Sequence, residues 1–107
     1  MNRVGCDMAQ DELLRLKKAL QFIRQVIQDY ARNPHYHLGF SLALATSKAE
    51  ELSFLVEPFC PAKNAFQKLV EAMKVMSLEP SKVSEAERCL DQIFSCFELE
   101  HLSLIRR

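Results

Sequence analysis

The segment from Leu13 to Tyr30 constrains the fold most, because its apolar residues follow one another at steps of three and four. They are Leu13, Leu16, Leu20, Ile23, Ile27 and Tyr30. An α-helix repeats every 3.6 residues, so these six side chains lie on one side of a helix and form a face that other helices can cover. The pattern predicts helix packing and specifies no reaction.

Three further segments have the same apolar period, and breaks that contain proline separate all four segments. Proline interrupts the hydrogen-bond ladder of a helix, and the residue before it disfavours the helical conformation. The predicted helices span residues 8–32, 37–57, 62–77 and 82–105. Four helices with short connections predict an all-α fold, a four-helix up-down-up-down bundle in which successive helices lie antiparallel.

The chain of 107 residues is predicted to form a single helical domain, with residues 1–6 as a loose leader. This length suffices to bury a hydrophobic core. Hydrophobic residues make up 49% of the sequence and charged residues 26%, which excludes the composition of a disordered chain. Only two glycines occur, which favours helices over a turn-rich β fold.

The charges limit the class of partner, and the cysteines indicate the cellular compartment. Fourteen basic and fourteen acidic residues cancel, which disfavours nucleic acid and anionic membranes as partners. No apolar run approaches the roughly 20 residues of a membrane helix. The four cysteines lack the spacing of a zinc or redox motif. Without a signal peptide, they are expected to be free thiols in the reducing cytoplasm.

Candidate metal-binding and catalytic residues form no complete set. Glu98 and His101 have the Glu-x-x-His spacing of bundle di-iron sites, but those sites need two such pairs and two further glutamates. His35 and His37 flank a turn, and Cys60 lies in a loop with no local base. We therefore expect no enzyme, no cofactor and no metal. A metal- or redox-linked bundle that uses these histidines and Cys60 is the alternative.

Two surfaces are candidate contacts for another protein. Helix 1 carries Arg15, Lys17, Lys18 and Arg24 in a stretch without acidic residues, and Lys17, Lys18 and Arg24 are its candidate contacts. Phe59 lies in the proline-rich break before helix 3. The predicted function is a non-enzymatic protein–protein interaction module, such as a small helical adaptor, chaperone or regulator. The rival hypothesis is a nucleic-acid-associated regulator that uses the same basic face.

Helices 1 and 4 each carry more apolar residues than one packing face needs. The additional residues are Ala19, Phe22 and Val26 on helix 1 and Cys89, Phe94 and Cys96 on helix 4. A symmetric homodimer through these helices would cover them. The alternative is irregular packing within one chain.

Large Met and Phe side chains on helices 3 and 4 have the spacing of core residues. They are Phe66, Met73, Met76, Phe94 and Phe97. The alternative is that they line a groove for the amphipathic helix of a partner.

Overall fold

Four helices make up most of the chain that the structure describes. The computed structural model describes residues 9–33 and 39–99. Its helices are α1 (Gln10–Arg32), α2 (Gly39–Leu55), α3 (Ala62–Val75) and α4 (Lys82–Phe97). Neither of the two described ranges contains a strand. The predicted all-α class is confirmed.

The helices form a closed bundle. α1 contacts α2 and α4, and α3 contacts the same two helices, with the α3–α4 contact the most extensive. Each helix therefore lies beside its neighbours in sequence, and α4 returns to α1. This is the predicted up-down-up-down arrangement, which short connections favour because they leave consecutive helices adjacent.

The start of α1 differs slightly from the prediction. The helix begins at Gln10 rather than at residue 8, and the N–H of Ala9 donates to Oε1 of Glu12 at 3.1 Å. This is the backbone half of a capping box, in which a glutamate satisfies a free N–H at the helix start. Asp7, whose spacing from Gln10 also fits a capping box, lies outside the described residues. The helix ends at Arg32 as predicted.

Two of the four boundaries of α3 and α4 differ from the prediction. α3 ends at Val75, two residues before the predicted end. Ser81 occupies the N-cap position of α4, so the predicted start at residue 82 is confirmed. The predicted end at residue 105 is wrong, because Glu98 adopts a left-handed conformation with φ of 55° and stops α4 at Phe97. An apolar period alone does not show where the backbone leaves the helix.

The core consists of the apolar faces that the period predicts. On α1 its centre is Leu20, Ile23 and Ile27, which are fully buried. On α3 and α4 the five large Met and Phe residues predicted as core are all buried. They are Phe66, Met73, Met76, Phe94 and Phe97. Their burial argues against the alternative interpretation, a groove open to a partner, although Met73 also borders an open groove between α2 and α3.

α2 contributes small side chains to this core. Ala45 and Ala49 are fully buried, while Leu42, Leu52 and Val56 pack against the core from partly exposed positions. Small residues let neighbouring helices approach closely, but they bury little apolar area. The stabilisation that α2 gains from the bundle is correspondingly small, since hydrophobic stabilisation scales with the apolar area removed from water.

Candidate interaction surface

The structure separates the three basic residues that were predicted to form one surface on α1. Lys17 is 9% exposed and engaged in an interaction, whereas Lys18 is exposed. Arg24 reaches α4, where its Nη2 donates to Oδ1 of Asp91 at 2.6 Å. The same guanidinium lies 4.7 Å from the ring centroid of Phe94. Arg24 therefore links two helices of its own chain.

The additional apolar residues of α1 and α4 are mostly covered within the chain. Val26, Cys89 and Phe94 are buried within the chain, so these three side chains have little surface left for a second copy. Phe22 remains 41% exposed. The physical reason is that each of these helices touches two neighbours, so each buries a broader arc than a single packing face requires.

Phe59 is exposed, as its place in the proline-rich break suggested, and it belongs to a larger apolar surface that the sequence analysis missed. Five large apolar side chains lie exposed on α2 and on the turn that follows it. Their exposed fractions are 80% for Phe40, 50% for Leu44, 75% for Phe54, 72% for Leu55 and 77% for Phe59. We call these five residues the α2 face.

The α2 face lies opposite the side of α2 that packs into the bundle. At 100° per residue, Phe40 and Leu44 project away from Ala45 and Ala49, which are fully buried. The apolar residues of α2 thus surround the helix instead of forming one stripe. A helix that is apolar all round is normally covered on all sides. Among the described residues, the other helices cover one side of α2.

Lys63 of α3 lies beside one aromatic ring of the α2 face. Its Nζ donates to the backbone carbonyl of Ser53 and lies 5.9 Å from the ring centroid of Phe54. This distance is at the outer limit of a cation–π contact. Phe54 therefore lies at the α2–α3 edge, and most of its surface is accessible.

An open groove of about 460 Å³ runs beside the α2 face, between α2 and α3. Its wall on α2 includes the small residues Ala43 and Ser47, and Met73 and Lys74 line it from α3. Lys74 spans the groove, with Nζ 3.4 Å from Oε2 of Glu50. The groove has room for side chains of a helix that lies along α2.

The middle of the α2 face carries one charge of each sign. Nζ of Lys48 lies 3.6 Å from Oε1 of Glu51, and both side chains are largely exposed. An exposed ion pair of this kind contributes about 0–1 kcal/mol, so either charge is available to a different partner at little cost.

The cysteines differ from the predicted set of free thiols. Cys60 is buried and takes part in a disulfide, whereas Cys89 and Cys96 are free. The prediction is therefore wrong at Cys60, because a disulfide requires proximity of Cα atoms in space, within about 7 Å, which spacing along the chain does not reveal. Burial raises the pKa of Cys89 and of Cys96, which keeps both thiols protonated and weakly nucleophilic.

The residues considered as possible metal ligands are largely outside the described residues. This applies to His35, His37 and His101, while Glu98 is described and exposed at the end of α4. Across residues 9–33 and 39–99, no group of three or more His, Cys, Asp or Glu side chains is placed to hold a metal ion. Within the same ranges, no helix has both the length and the apolar character needed to cross a membrane.

A signal for the α2 face was present in the sequence. The apolar period of helix 2 runs through Ala45, Ala49 and Leu52, which predicts that this side faces the core. On the opposite side, Phe40 and Leu44 also recur at a helical interval. A second apolar face on one helix would have predicted a second contact.

Comparison of the chain with protein-family models, with curated proteins and with solved structures gave no match.

Proposed function

We propose that this protein is a non-enzymatic protein–protein interaction module, a small helical adaptor, chaperone or regulator, whose contact surface is the α2 face. The observation that carries the proposal is the exposure of five large apolar side chains along one helix and its following turn. The partner surface is the apolar side of another helix, since a helix laid along α2 meets side chains at intervals of three and four residues.

The size of the exposed surface supports this proposal. Phe40, Phe54 and Phe59 each expose at least three quarters of their surface. An aromatic side chain carries roughly 150–250 Å², so the three together present on the order of 350–580 Å², spread along α2 and the turn after it. This sum is comparable to the roughly 300–600 Å² of the largest contiguous apolar patch of a typical monomer, which is often functional. Leu44 and Leu55 extend the α2 face beyond the contribution of the three rings.

The distribution of charge argues for α2 over the basic side of α1. Lys17 is buried, and Arg24 is bound to Asp91 and Phe94. These contacts leave Lys18 as the accessible member of the three predicted contact residues on α1. Lys18 and the exposed Arg15 one turn earlier are two cations, which give limited attraction for an acidic partner or a nucleic acid. The cytoplasmic location stays a prediction, and the disulfide at Cys60 removes part of its basis.

Site-directed photo-crosslinking in the native host tests the proposal. A benzophenone amino acid replaces Leu44 on the α2 face, Lys18 on α1 or Gln92 on α4, all of which are accessible positions. We expect a crosslink to a protein from position 44, a weak one from position 18 and none from position 92. Mass spectrometry then identifies the captured chain. Absence of a crosslink from position 44, or identical products from all three positions, would contradict the proposal.

A further inference from the structure

We propose that the occupant of the α2 face is a second copy of this chain, bound so that the two α2 helices lie antiparallel about a two-fold axis. This inference rests on the proposed function, because it names the partner of the same surface. The axis passes between Ala49 and Glu50.

Exposed residues of α2 are arranged symmetrically about that point. Leu44 and Leu55 are equidistant from it, and so are Lys48 and Glu51. At 100° per residue these four side chains lie within one narrow sector of the helix surface, on the outward side. Phe40 and Phe59, which lie beyond the two ends of these four residues, are equidistant from the same point. We call the six residues together the row.

An antiparallel pair of helices brings residues that are equidistant from the two-fold axis opposite each other. Leu44 of one copy then meets Leu55 of the other, and Lys48 meets Glu51. Phe40 meets the turn that holds Phe59. Every apolar residue of the row faces an apolar residue, and every charge faces the opposite charge. A parallel pair would instead place Lys48 opposite Lys48 and Glu51 opposite Glu51.

The ion pair within one copy can be replaced by ion pairs between two copies. Lys48 and Glu51 are paired with each other across the helix surface, at 3.6 Å, and both are accessible. Replacing that exposed pair by two pairs between copies leaves no charge unpaired. The chain has no net charge, with fourteen basic and fourteen acidic residues, so two copies do not repel each other at long range.

The area of the α2 face supplies much of what a dimer interface requires. The exposed parts of Phe40, Phe54 and Phe59 amount to roughly 350–580 Å², and Leu44, Leu55 and the stem of Lys48 add to it. A stable interface buries about 800 Å² on each partner. The groove beside Ala43 and Ser47 adds a concave surface next to the row, with space for side chains of the second copy.

Light scattering coupled to size-exclusion chromatography tests the inference on the full chain at tens of micromolar. The expected mass of the native protein is that of a dimer. Lys48→Glu and Glu51→Lys each oppose like charges across the axis and are expected to weaken dimerisation at least about tenfold. An equimolar mixture of the two variants is expected to restore the dimer, because each charge of one variant then meets the opposite charge of the other.

Leu44→Ser tests the apolar part of the interface against a matched control. It removes a leucine that faces Leu55 of the second copy and is expected to weaken the dimer at least about tenfold. Leu78→Ser changes an equally accessible leucine, 80% exposed in the turn after α3 and outside the α2 face, and is expected to leave the dimer intact. Circular dichroism verifies that each variant keeps its helix content.

Each outcome decides the inference. A native dimer that all these substitutions leave unchanged overturns it, because the interface then lies elsewhere. Failure of the charge-reversed variants to recombine on mixing overturns the antiparallel pairing. A native monomer that crosslinks from position 44 to a different protein overturns the second copy as partner but leaves the proposed function standing. A native monomer without any such crosslink overturns both.

Discussion

Helices α2 and α3 pack against each other but place their large apolar side chains on opposite sides. α3 buries Phe66 and Leu69 in the bundle and turns charged and amide side chains outward. α2 buries Ala45 and Ala49 and turns phenylalanine and leucine outward. The apolar surface of α3 is covered within one chain, whereas most of that of α2 is not. The difference shows that a helix can fold as part of a bundle while its larger apolar face remains available to a partner.

The largest expected effect comes from truncating a buried phenylalanine of α3, and an exposed phenylalanine of α2 is its matched comparison. Phe66→Ala leaves a cavity in the core and is expected to lower the free energy of unfolding by about 3–5 kcal/mol. Phe40→Ala removes a ring that is largely in water and is expected to change it by less than about 0.5 kcal/mol. Urea unfolding followed by circular dichroism, at a concentration where the monomer dominates, measures both. Equal losses would show that Phe40 belongs to the core.

A smaller effect is expected from enlarging an alanine on α2. Ala49 is fully buried against neighbouring helices, so Ala49→Leu overpacks the contact and is expected to cost about 1–3 kcal/mol. Ala43 is accessible at the edge of the groove. Ala43→Leu adds the same atoms on the outward side and is expected to be nearly neutral. If the two variants unfold at the same urea concentration, the two sides of α2 are not distinguished by packing.

The apolar period was sufficient to predict the bundle, because burial in the bundle requires it. The steps from Leu16 to Ile27 on α1 and from Phe66 to Met73 on α3 leave one side of each helix apolar, and both sides are buried as expected. Pairing of consecutive helices then follows from the short connections. The fold class and the order of the helices could therefore be predicted from the sequence.

The contact surface could not be predicted in the same way, because the period does not state how many neighbours a helix has. Val26 and Phe94 appeared to be in excess, yet both are buried where α1 and α4 meet the rest of the bundle. Phe40 and Phe54 have a similar chemical character and remain exposed. Distinguishing the two cases requires the width of the buried arc on each helix, which only the packed structure provides.

The end of α4 depends on local backbone geometry. The oxidation state of Cys60 depends on which cysteine lies near it in the folded chain. The apolar residues after Phe97 continue a pattern typical of a helix, but the left-handed backbone of Glu98 ends α4. The disulfide at Cys60 depends on distances in the folded chain. Neither feature has a signature in the spacing of residues, so the predicted boundary and the predicted free thiol were both wrong.

The smallest expected effect concerns two phenylalanines, each of which lies close to a cationic side chain. Phe94 is buried under Arg24, and Phe54 is accessible beside Lys63. Arg24→Met keeps the apolar stem but removes both the ion pair with Asp91 and the cation–π contact. It is expected to lower the free energy of unfolding by about 0.5–1.5 kcal/mol. Lys63→Met, which removes the cation beside an exposed ring, is expected to cost less.

Salt separates the two contributions of Arg24. The carboxylate of Asp91 is exposed, so its ion pair is screened at high ionic strength, whereas the cation over the buried ring is screened less. Asp91→Asn removes only the ion pair and is expected to cost at most about 1 kcal/mol at low salt and almost nothing in 1 M salt. Arg24→Met should retain part of its cost in 1 M salt. If the costs of both variants vanish there, the guanidinium does not stabilise Phe94, and that ring is buried by packing alone.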